Sequence, residues 1–143
     1  MSVTGVVTVS AVVLRDGSGA LLTVRKAGTD RFMLPGGKPE PGESPRETAI
    51  RECREELGVD LAPATLLHLG AFRAAAANEP GLDVEAHIFT HPAPPGVAPS
   101  AEIAELRWLD PDARPLPADL APLLAEQVLP AIATSAGRVQ PSR

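Results

Sequence analysis

Cysteine is nearly missing from this 143-residue sequence, and tyrosine is missing altogether. The single cysteine, Cys53, excludes an intrachain disulfide and any metal site built from several cysteines. A reducing, cytoplasmic setting is therefore the expectation. Aromatic residues amount to 3%, namely Phe32, Phe72, Phe89 and Trp108. Few side chains are thus available to stack on a nucleobase, and packing in the core is the commoner use of such residues.

Long apolar runs and an excess of basic residues are also lacking. No run approaches the roughly 18 residues that a membrane-spanning helix needs, and the apolar N-terminus lacks the basic segment of a signal peptide. The formal net charge is -5, whereas a surface that binds nucleic acid is usually basic. We therefore expect neither a membrane nor a nucleic-acid polymer as partner. A free nucleotide stays open, because a metal ion can neutralise its phosphates locally.

The remaining composition is that of an ordinary folded protein. Hydrophobic residues make up 44% and charged residues 22% of the chain, both close to the globular average. The length fits one domain over residues 1–143, with a loose tail expected after about residue 135. Runs rich in β-branched residues predict strands over 5–14, 20–26, 66–74, 82–91 and 106–109. A last helix is expected over 118–133, with Pro130 ending or kinking it.

The clearest element is a helix over residues 45–57. Ser44 is a good N-cap, Pro45 occupies the first helical position, and Glu47 completes a capping box. Gly58 follows Leu57 as the expected C-terminal cap. The spacing of these signals predicts both ends of the helix.

Three carboxylates, those of Glu52, Glu55 and Glu56, share one arc of about 100° on this helix. Like charges at these spacings repel one another, and the C-terminal half of a helix disfavours anions. A bound cation would resolve both conflicts, and hard oxygen ligands suit Mg²⁺ or Mn²⁺ better than zinc. For the Glu55-Glu56 pair taken alone, the alternative is that both side chains lie on an ordinary solvated helix face.

A wider pattern surrounds these carboxylates. Its fixed positions follow the order G-x5-E-x7-R-E-U-x-E-E-x-G-U, where U is a bulky apolar residue, and they fall on Gly37, Glu43, Arg51, Glu52, Cys53, Glu55, Glu56, Gly58 and Val59. The segment from Gly37 to Val59 resembles the Nudix box, the sequence motif of the Nudix family, and matches it at every fixed position. Cys53 stands where an aliphatic residue is more usual, and we interpret it as a core residue and not as a nucleophile.

The resemblance implies an α/β fold, an α/β/α sandwich around a mixed sheet, and a hydrolase that cleaves phosphoanhydride bonds with Mg²⁺ or Mn²⁺. It implies that Glu52, Glu55 and Glu56 bind the metal, together with the backbone carbonyl of Gly37. Glu43 and Arg51 resemble the pair that ties the motif loop to the helix. Nudix enzymes are often homodimers, although the sequence itself does not specify the oligomeric state.

The reaction also needs a general base, and the resemblance offers two kinds. One is Glu52 itself, and the other is a distal glutamate on a loop before a late strand. Glu105 is the preferred distal candidate and Glu102 the next, whereas Glu79 and Glu85 are less favoured. An ordinary surface carboxylate remains the alternative for each of them.

Substrate contacts, one of them inside the motif loop at Lys38, are predicted less sharply than the metal ligands. Arg25, Lys38 and Arg73 are the candidate phosphate-binding residues, with Arg31 as a further possibility. Residues 72–81 form either a loop that faces the substrate or, as we prefer, a plain connector. The substrate itself is expected to be a nucleoside triphosphate or a nucleoside diphosphate linked to another group. Two alternatives stay open, a non-catalytic Nudix module that binds a nucleotide or protein, and a hydrolase of non-nucleotide diphosphates.

Overall fold

The computed structural model describes residues 5–77 and 79–133, and its centre is one mixed β-sheet. The strands are β1 (Gly5–Arg15), β2 (Leu21–Lys26), β3 (Gly36–Gly37), β4 (Leu67–Ala75), β5 (Leu82–Pro92) and β6 (Ile103–Leu109). They follow the order β4-β5-β1-β2-β6, and the short β3 pairs with β1. Only the β1–β5 pair is parallel among the named strand pairs of the described residues. Strands β1 and β2 pair antiparallel and form a hairpin.

Two helices cover the two faces of the sheet. Helix α1 (Pro45–Leu57) packs on the face that carries Val12 and Leu14 of β1. The second helix, α2, comprises residues 122–133 with a π-helical segment over Leu123–Val128. It packs on the other face, against Ala11 and Val13. Because side chains alternate along a strand, β1 contributes to both cores, and the predicted α/β/α sandwich is confirmed.

Helix α1 begins and ends where its capping signals predict. The Glu47 backbone N–H donates to Ser44 Oγ at 3.1 Å, and the Glu47 carboxylate accepts from the Ser44 N–H at 2.9 Å. At the other end Gly58 adopts a φ of 70°, and its N–H donates to the Arg54 carbonyl. Glycine adopts this left-handed conformation without the strain that a Cβ would add. Local chemistry therefore fixes the helix that presents the Glu52, Glu55 and Glu56 carboxylates.

Two elements depart from the predicted bounds. Strand β6 begins at Ile103, three residues before the predicted start, because Ile103 pairs with Lys26 of β2. Helix α2 begins at residue 122 and not at 118, because residues 119–121 run alongside Phe32 in two backbone hydrogen bonds of 2.8 Å. Helical structure also continues through Pro130 to residue 133, preceded by the wider π-helical turns.

The predicted loose tail after residue 135 lies outside the described residues. Within 5–77 and 79–133, neither helix has the length and apolar character that crossing a membrane requires.

Candidate active site

The segment Gly36-Gly37, called the glycine turn below, and helix α1 meet at the centre of the site. Gly36 and Gly37 form β3 and pair with Ala11 and Ser10 of β1. A Cβ at Gly36 would overlap the Ser10 carbonyl oxygen, and a Cβ at Gly37 would overlap the Glu52 carboxylate. Gly36 is therefore required by its close approach to the backbone of β1, whereas Gly37 approaches the end of the flexible Glu52 side chain. The turn brings the backbone next to the acidic face of α1.

Replacing Gly36 with alanine is expected to lower the free energy of unfolding by more than about 2 kcal/mol. The added Cβ meets backbone atoms of β1 that cannot move without breaking the sheet. Gly17→Ala is the matched control, since nothing lies within 4 Å of a Cβ at that position, and it should change stability by about 0.5 kcal/mol or less. Denaturant unfolding of both variants tests the prediction, and equal stabilities would contradict it.

Glu56 is a carboxylate buried in this site, with a relative exposure of 1%. Its Oε1 accepts the Gly36 N–H at 3.2 Å, and its Oε2 lies 3.2 Å from Lys26 Nζ. Burial raises the pKa of Glu56 to about 7, and the neighbouring Lys26 ammonium partly opposes that rise. A buried carboxylate is costly unless a cation or several hydrogen bonds compensate it. Glu56 is thus held in a place that favours a bound cation.

Arg51 ties the motif together. Its guanidinium donates to the Glu43 carboxylate at 2.7 and 2.9 Å, and to Glu52 and Glu55 at 3.1 Å each. It also donates to the Lys38 carbonyl at 3.0 Å. Hydrogen bonds from Arg51 are the main reason that the pKa of Glu43 falls to about 2. The pairing of Glu43 with Arg51 is in place, and it joins the loop before α1 to the middle of the helix.

The three carboxylates predicted to bind metal are not equivalent. The side chain of Glu56 is buried, that of Glu52 is 14% exposed beside Gly37, and that of Glu55 is 52% exposed and pairs with Arg51. Across the part of the chain that is described, no three acidic, histidine or cysteine side chains converge in a metal-binding geometry. The donors at Glu52 and Glu56 are nevertheless hard oxygens, one of them buried, which fits Mg²⁺ or Mn²⁺.

A cavity of about 570 Å³ opens beside these carboxylates. Its lining includes the charged side chains of Glu52, Glu56, Lys26 and Lys38. The aliphatic lining comprises Val7, Val9, Met33, Leu34, Ala75, Ala76, Ala77, Val84, Ala121, Leu123 and Leu124. A lining that combines charged and aliphatic side chains suits a small molecule with both a charged and an apolar part.

Several predicted residues lie away from this cavity. Arg25 and Glu105 face each other across β2 and β6 and form an ion pair of 3.3 Å. Arg73 pairs with Asp83 at 3.2 Å on an exposed face. None of the three, nor Arg31 or Glu85, is among the described residues that line the cavity.

Other predicted residues do reach the cavity. Lys38 lines it, and so do Glu102 and Glu79. Ala75–Ala77 also lie in its wall, so part of the 72–81 segment borders the cavity, and its first four residues belong to strand β4 and not to a loop.

Lys26 was not predicted from the sequence. Its Nζ donates to the Gly36 carbonyl at 3.0 Å and pairs with Glu56. Side chains alternate between the faces of a strand, so Lys26 lies on the same face of β2 as Leu22 and Val24, which pack with α1, and Arg25 lies on the opposite face. The register shift falls on β6, where the partner residue passes from Glu105 to Ile103, and it leaves the alternation along β2 unchanged. The basic pair was visible in the sequence, but the face of the sheet on which α1 packs was not.

The aromatic residues and Cys53 serve the core more than the site. Within 5–77 and 79–133, none of Phe32, Phe72, Phe89 and Trp108 lines the cavity. Phe32 and Phe89 are buried, while Trp108 is 45% exposed. Cys53 is fully buried, and burial raises the pKa of its thiol to about 12. This agrees with its interpretation as a core residue.

Comparison with known proteins places the chain in a family. The sequence is 32% identical to a candidate 8-oxo-dGTP diphosphatase of Bacillus subtilis (strain 168) over 107 residues, or 73% of this chain and 67% of that protein. It is 47% identical to the CTP pyrophosphohydrolase of Escherichia coli (strain K12) over 55 residues, or 36% of this chain and 40% of that protein.

The fold comparison agrees. A MutT protein from Methanosarcina mazei Go1 matches 96% of this chain and 97% of its own, with a TM-score of 0.71 and 20% identity. At this identity the match shows the fold alone. The profile of the NUDIX domain matches residues 5–130, which include the glycine turn, α1 and the cavity wall. The chain therefore belongs to the NUDIX family.

Proposed function

We propose that the chain is a metal-dependent hydrolase that cleaves a phosphoanhydride bond in a nucleoside triphosphate or in a nucleoside diphosphate linked to another group. The observation that supports this most strongly is the buried carboxylate of Glu56 beside Glu52 and the glycine turn, in the lining of a cavity of about 570 Å³. Family membership gives the reaction class, hydrolysis of a phosphoanhydride bond.

Glu52, Glu56 and the Gly37 carbonyl would hold Mg²⁺ or Mn²⁺, with Glu55 as a further acidic ligand of the same helix. Such an ion polarises phosphate oxygens and lowers the pKa of bound water. Among the described residues, five carboxylates and three basic side chains line the cavity, namely Glu40, Glu52, Glu56, Glu79, Glu102, Lys26, Lys38 and Arg51. A polyanionic substrate would be repelled by this balance, which supports the requirement for a divalent cation.

The basic residues of the cavity lining would bind the remaining phosphate charge. Lys26 and Lys38 are the favoured contacts because both line the cavity. The exposed pairs of Arg25 with Glu105 and of Arg73 with Asp83 make those arginines weaker candidates than the sequence suggested. Lysine ammonium groups bind phosphate as point charges, without the fixed geometry of a guanidinium.

The proton from the attacking water needs an acceptor. Glu52 is one candidate, because it borders the glycine turn inside the cavity. Glu102 is the other, because it lines the same cavity from the loop before β6. Glu105 is less favoured, since its carboxylate pairs with Arg25 outside the cavity lining. A base must come within hydrogen-bond reach of the proton, so lining the cavity is the first requirement.

We further propose that the chain acts as a single domain in the cytoplasm on small molecules, without a membrane or a nucleic-acid polymer as partner. Homodimer formation, which is frequent in the family, is retained as part of this proposal.

A substrate panel with chromatographic detection of the nucleotide products tests the function. The panel contains 8-oxo-dGTP, dGTP, CTP, a UDP-sugar and a short 5′-triphosphorylated RNA, each with Mg²⁺ or with excess chelator at mildly alkaline pH. We expect turnover of at least one small nucleotide with Mg²⁺, release of a nucleoside monophosphate, and no turnover with chelator. Tight binding without turnover would favour a non-catalytic module, and turnover in chelator would contradict the metal requirement.

A further inference from the structure

Arg107, in the middle of β6, holds two segments that lie far apart in sequence. Its guanidinium donates to Asp119 through two bonds, Nη1 to Oδ2 at 3.1 Å and Nη2 to Oδ1 at 2.6 Å. Its Cζ also lies 3.7 Å above the centroid of the Phe32 ring. A two-bond arginine–carboxylate pair fixes orientation as well as distance. Arg107 thus restrains both the Asp119 segment and the Phe32 segment.

Backbone hydrogen bonds join those two segments directly. The Phe32 N–H donates to the Asp119 carbonyl and the Ala121 N–H donates to the Phe32 carbonyl, each at 2.8 Å. Residues 119–121 therefore run as a short extended stretch beside Phe32, with a bridge at Leu120. The side chain of Arg107, which lies on β6, contacts both of these paired segments.

Both segments continue into the aliphatic wall of the cavity. Met33 and Leu34 follow Phe32, and Leu123 and Leu124 follow Ala121 at the start of α2. Arg107 and Asp119 themselves are not among the described residues that line the cavity. The pair can therefore affect a ligand only indirectly, by holding the residues of the cavity wall in position.

The Arg107–Asp119 pair leaves one buried donor without a partner, and this unfavourable feature indicates that the geometry of the pair matters. Arg107 Nε is buried and has no hydrogen-bond partner, while the two side chains remain only partly exposed. An unpaired buried donor is unfavourable, and a simple surface ion pair has no need to bury it. The stacking on Phe32 and the two bonds to Asp119 hold the guanidinium in place in spite of this.

We propose that Arg107, acting through Asp119 and Phe32, is a positioning residue for the cavity wall that contacts the organic half of the substrate. The proposal rests on the proposed function, because it presumes that the phosphates lie at the Glu52–Glu56 end. Loss of the pair lets the 119–124 segment shift away from the sheet. Affinity for the organic half falls, while the phosphate-binding end keeps its structure.

The test uses Arg107→Gln, Asp119→Asn and the double variant, assayed on the panel nucleotide that wild type turns over best. We expect KM to rise roughly tenfold in each single variant, with kcat within about twofold of wild type. The double variant should be no worse than Arg107→Gln alone, because that variant has already lost the pair with Asp119. Inhibition by inorganic pyrophosphate, which has no organic half, should be unchanged.

Two controls separate positioning from charge. Arg107→Lys keeps the charge but cannot make the two-bond fork or the stacking contact, so it should not restore KM. Asp60→Asn removes the more exposed Arg54–Asp60 pair and should leave KM unchanged. A fall in kcat with an unchanged KM, weaker inhibition by pyrophosphate, or additive effects in the double variant would overturn the proposal.

Failure of the proposed function gives a different result. If wild type turns over no nucleotide, calorimetric titration with CTP replaces the kinetic assay. Weaker CTP binding by Arg107→Gln than by wild type would then support the positioning role without the hydrolytic reaction. Equal affinities, or no CTP binding by either protein, would overturn it.

Discussion

Replacing Glu56 with glutamine is expected to lower kcat/KM by roughly 10² to 10³-fold while the protein stays folded. Glutamine keeps the size of the side chain and can still accept the Gly36 N–H, so the turn should hold its place. It removes the buried negative charge that a divalent cation would bind. Steady-state kinetics with saturating Mg²⁺ measure the loss, and Glu126→Gln, on the exposed side of α2, is the matched control.

The stability of the same variant should show that its inactivity is not due to unfolding. Burial raises the pKa of Glu56 from 4.5 to about 7 in the folded protein. The folded state therefore retains this proton over a pH range in which the unfolded chain has released it. The stabilising contribution is full below about pH 4.5 and is lost as the pH rises to about 7. In chelator, wild type should lose this stability over that interval and Glu56→Gln should not.

Kinetics and stability together decide the outcome for Glu56. Wild-type rates in Glu56→Gln would refute its assignment as a metal ligand. Loss of activity together with a lower melting temperature at pH 8 would show that the residue is mainly structural. Normal activity in Glu126→Gln is required in either case, because that side chain lies outside the cavity lining.

Replacing Arg51 with lysine is expected to lower kcat/KM by roughly 10 to 100-fold. The guanidinium bonds Glu43, Glu52 and Glu55 at once, and a single ammonium cannot reproduce that set of directions. Glu52 would then be free to turn away from Gly37, and the Lys38 carbonyl would lose its donor. The positive charge is kept, so the effect isolates geometry from net charge.

Arg54→Lys is the matched control for this substitution. Arg54 lies on the same helix, but its side chain is 62% exposed and its ion pair is with Asp60. The control should keep wild-type kcat/KM and a wild-type affinity for Mn²⁺. If Arg51→Lys behaved like Arg54→Lys, the network around Glu43 would have no role in positioning the carboxylates.

Local signals explain why so much of the motif was predictable. The capping box at Ser44 and Glu47 and the glycine at 58 set the two ends of α1 through contacts between residues that are close in sequence. No distant contact is needed to predict these ends. The same holds for the acidic face, because helical spacing alone places Glu52 and Glu56 side by side. The spacing from Gly37 to Gly58 then identified the family from sequence.

Features that depend on pairing between distant strands were less predictable. Lys26 reaches Glu56 because it lies on the face of β2 that packs with α1, whereas Arg25 lies on the other face and pairs with Glu105 of β6. This alternation accounts for two sequence preferences, Arg25 for phosphate and Glu105 for the base, that the cavity does not favour. Likewise, α2 starts late because residues 119–121 pair with Phe32, a contact about ninety positions apart in the chain.

The affinity of Mn²⁺ for the protein, measured by calorimetry without substrate, tests most directly whether the Glu52–Glu56 face of α1 binds a divalent cation. Wild type and Glu126→Gln should bind Mn²⁺ with the same affinity, and Glu56→Gln should bind it at least about tenfold more weakly. Equal affinities in wild type and Glu56→Gln, or no binding to wild type, would contradict the metal site on which the proposed function depends.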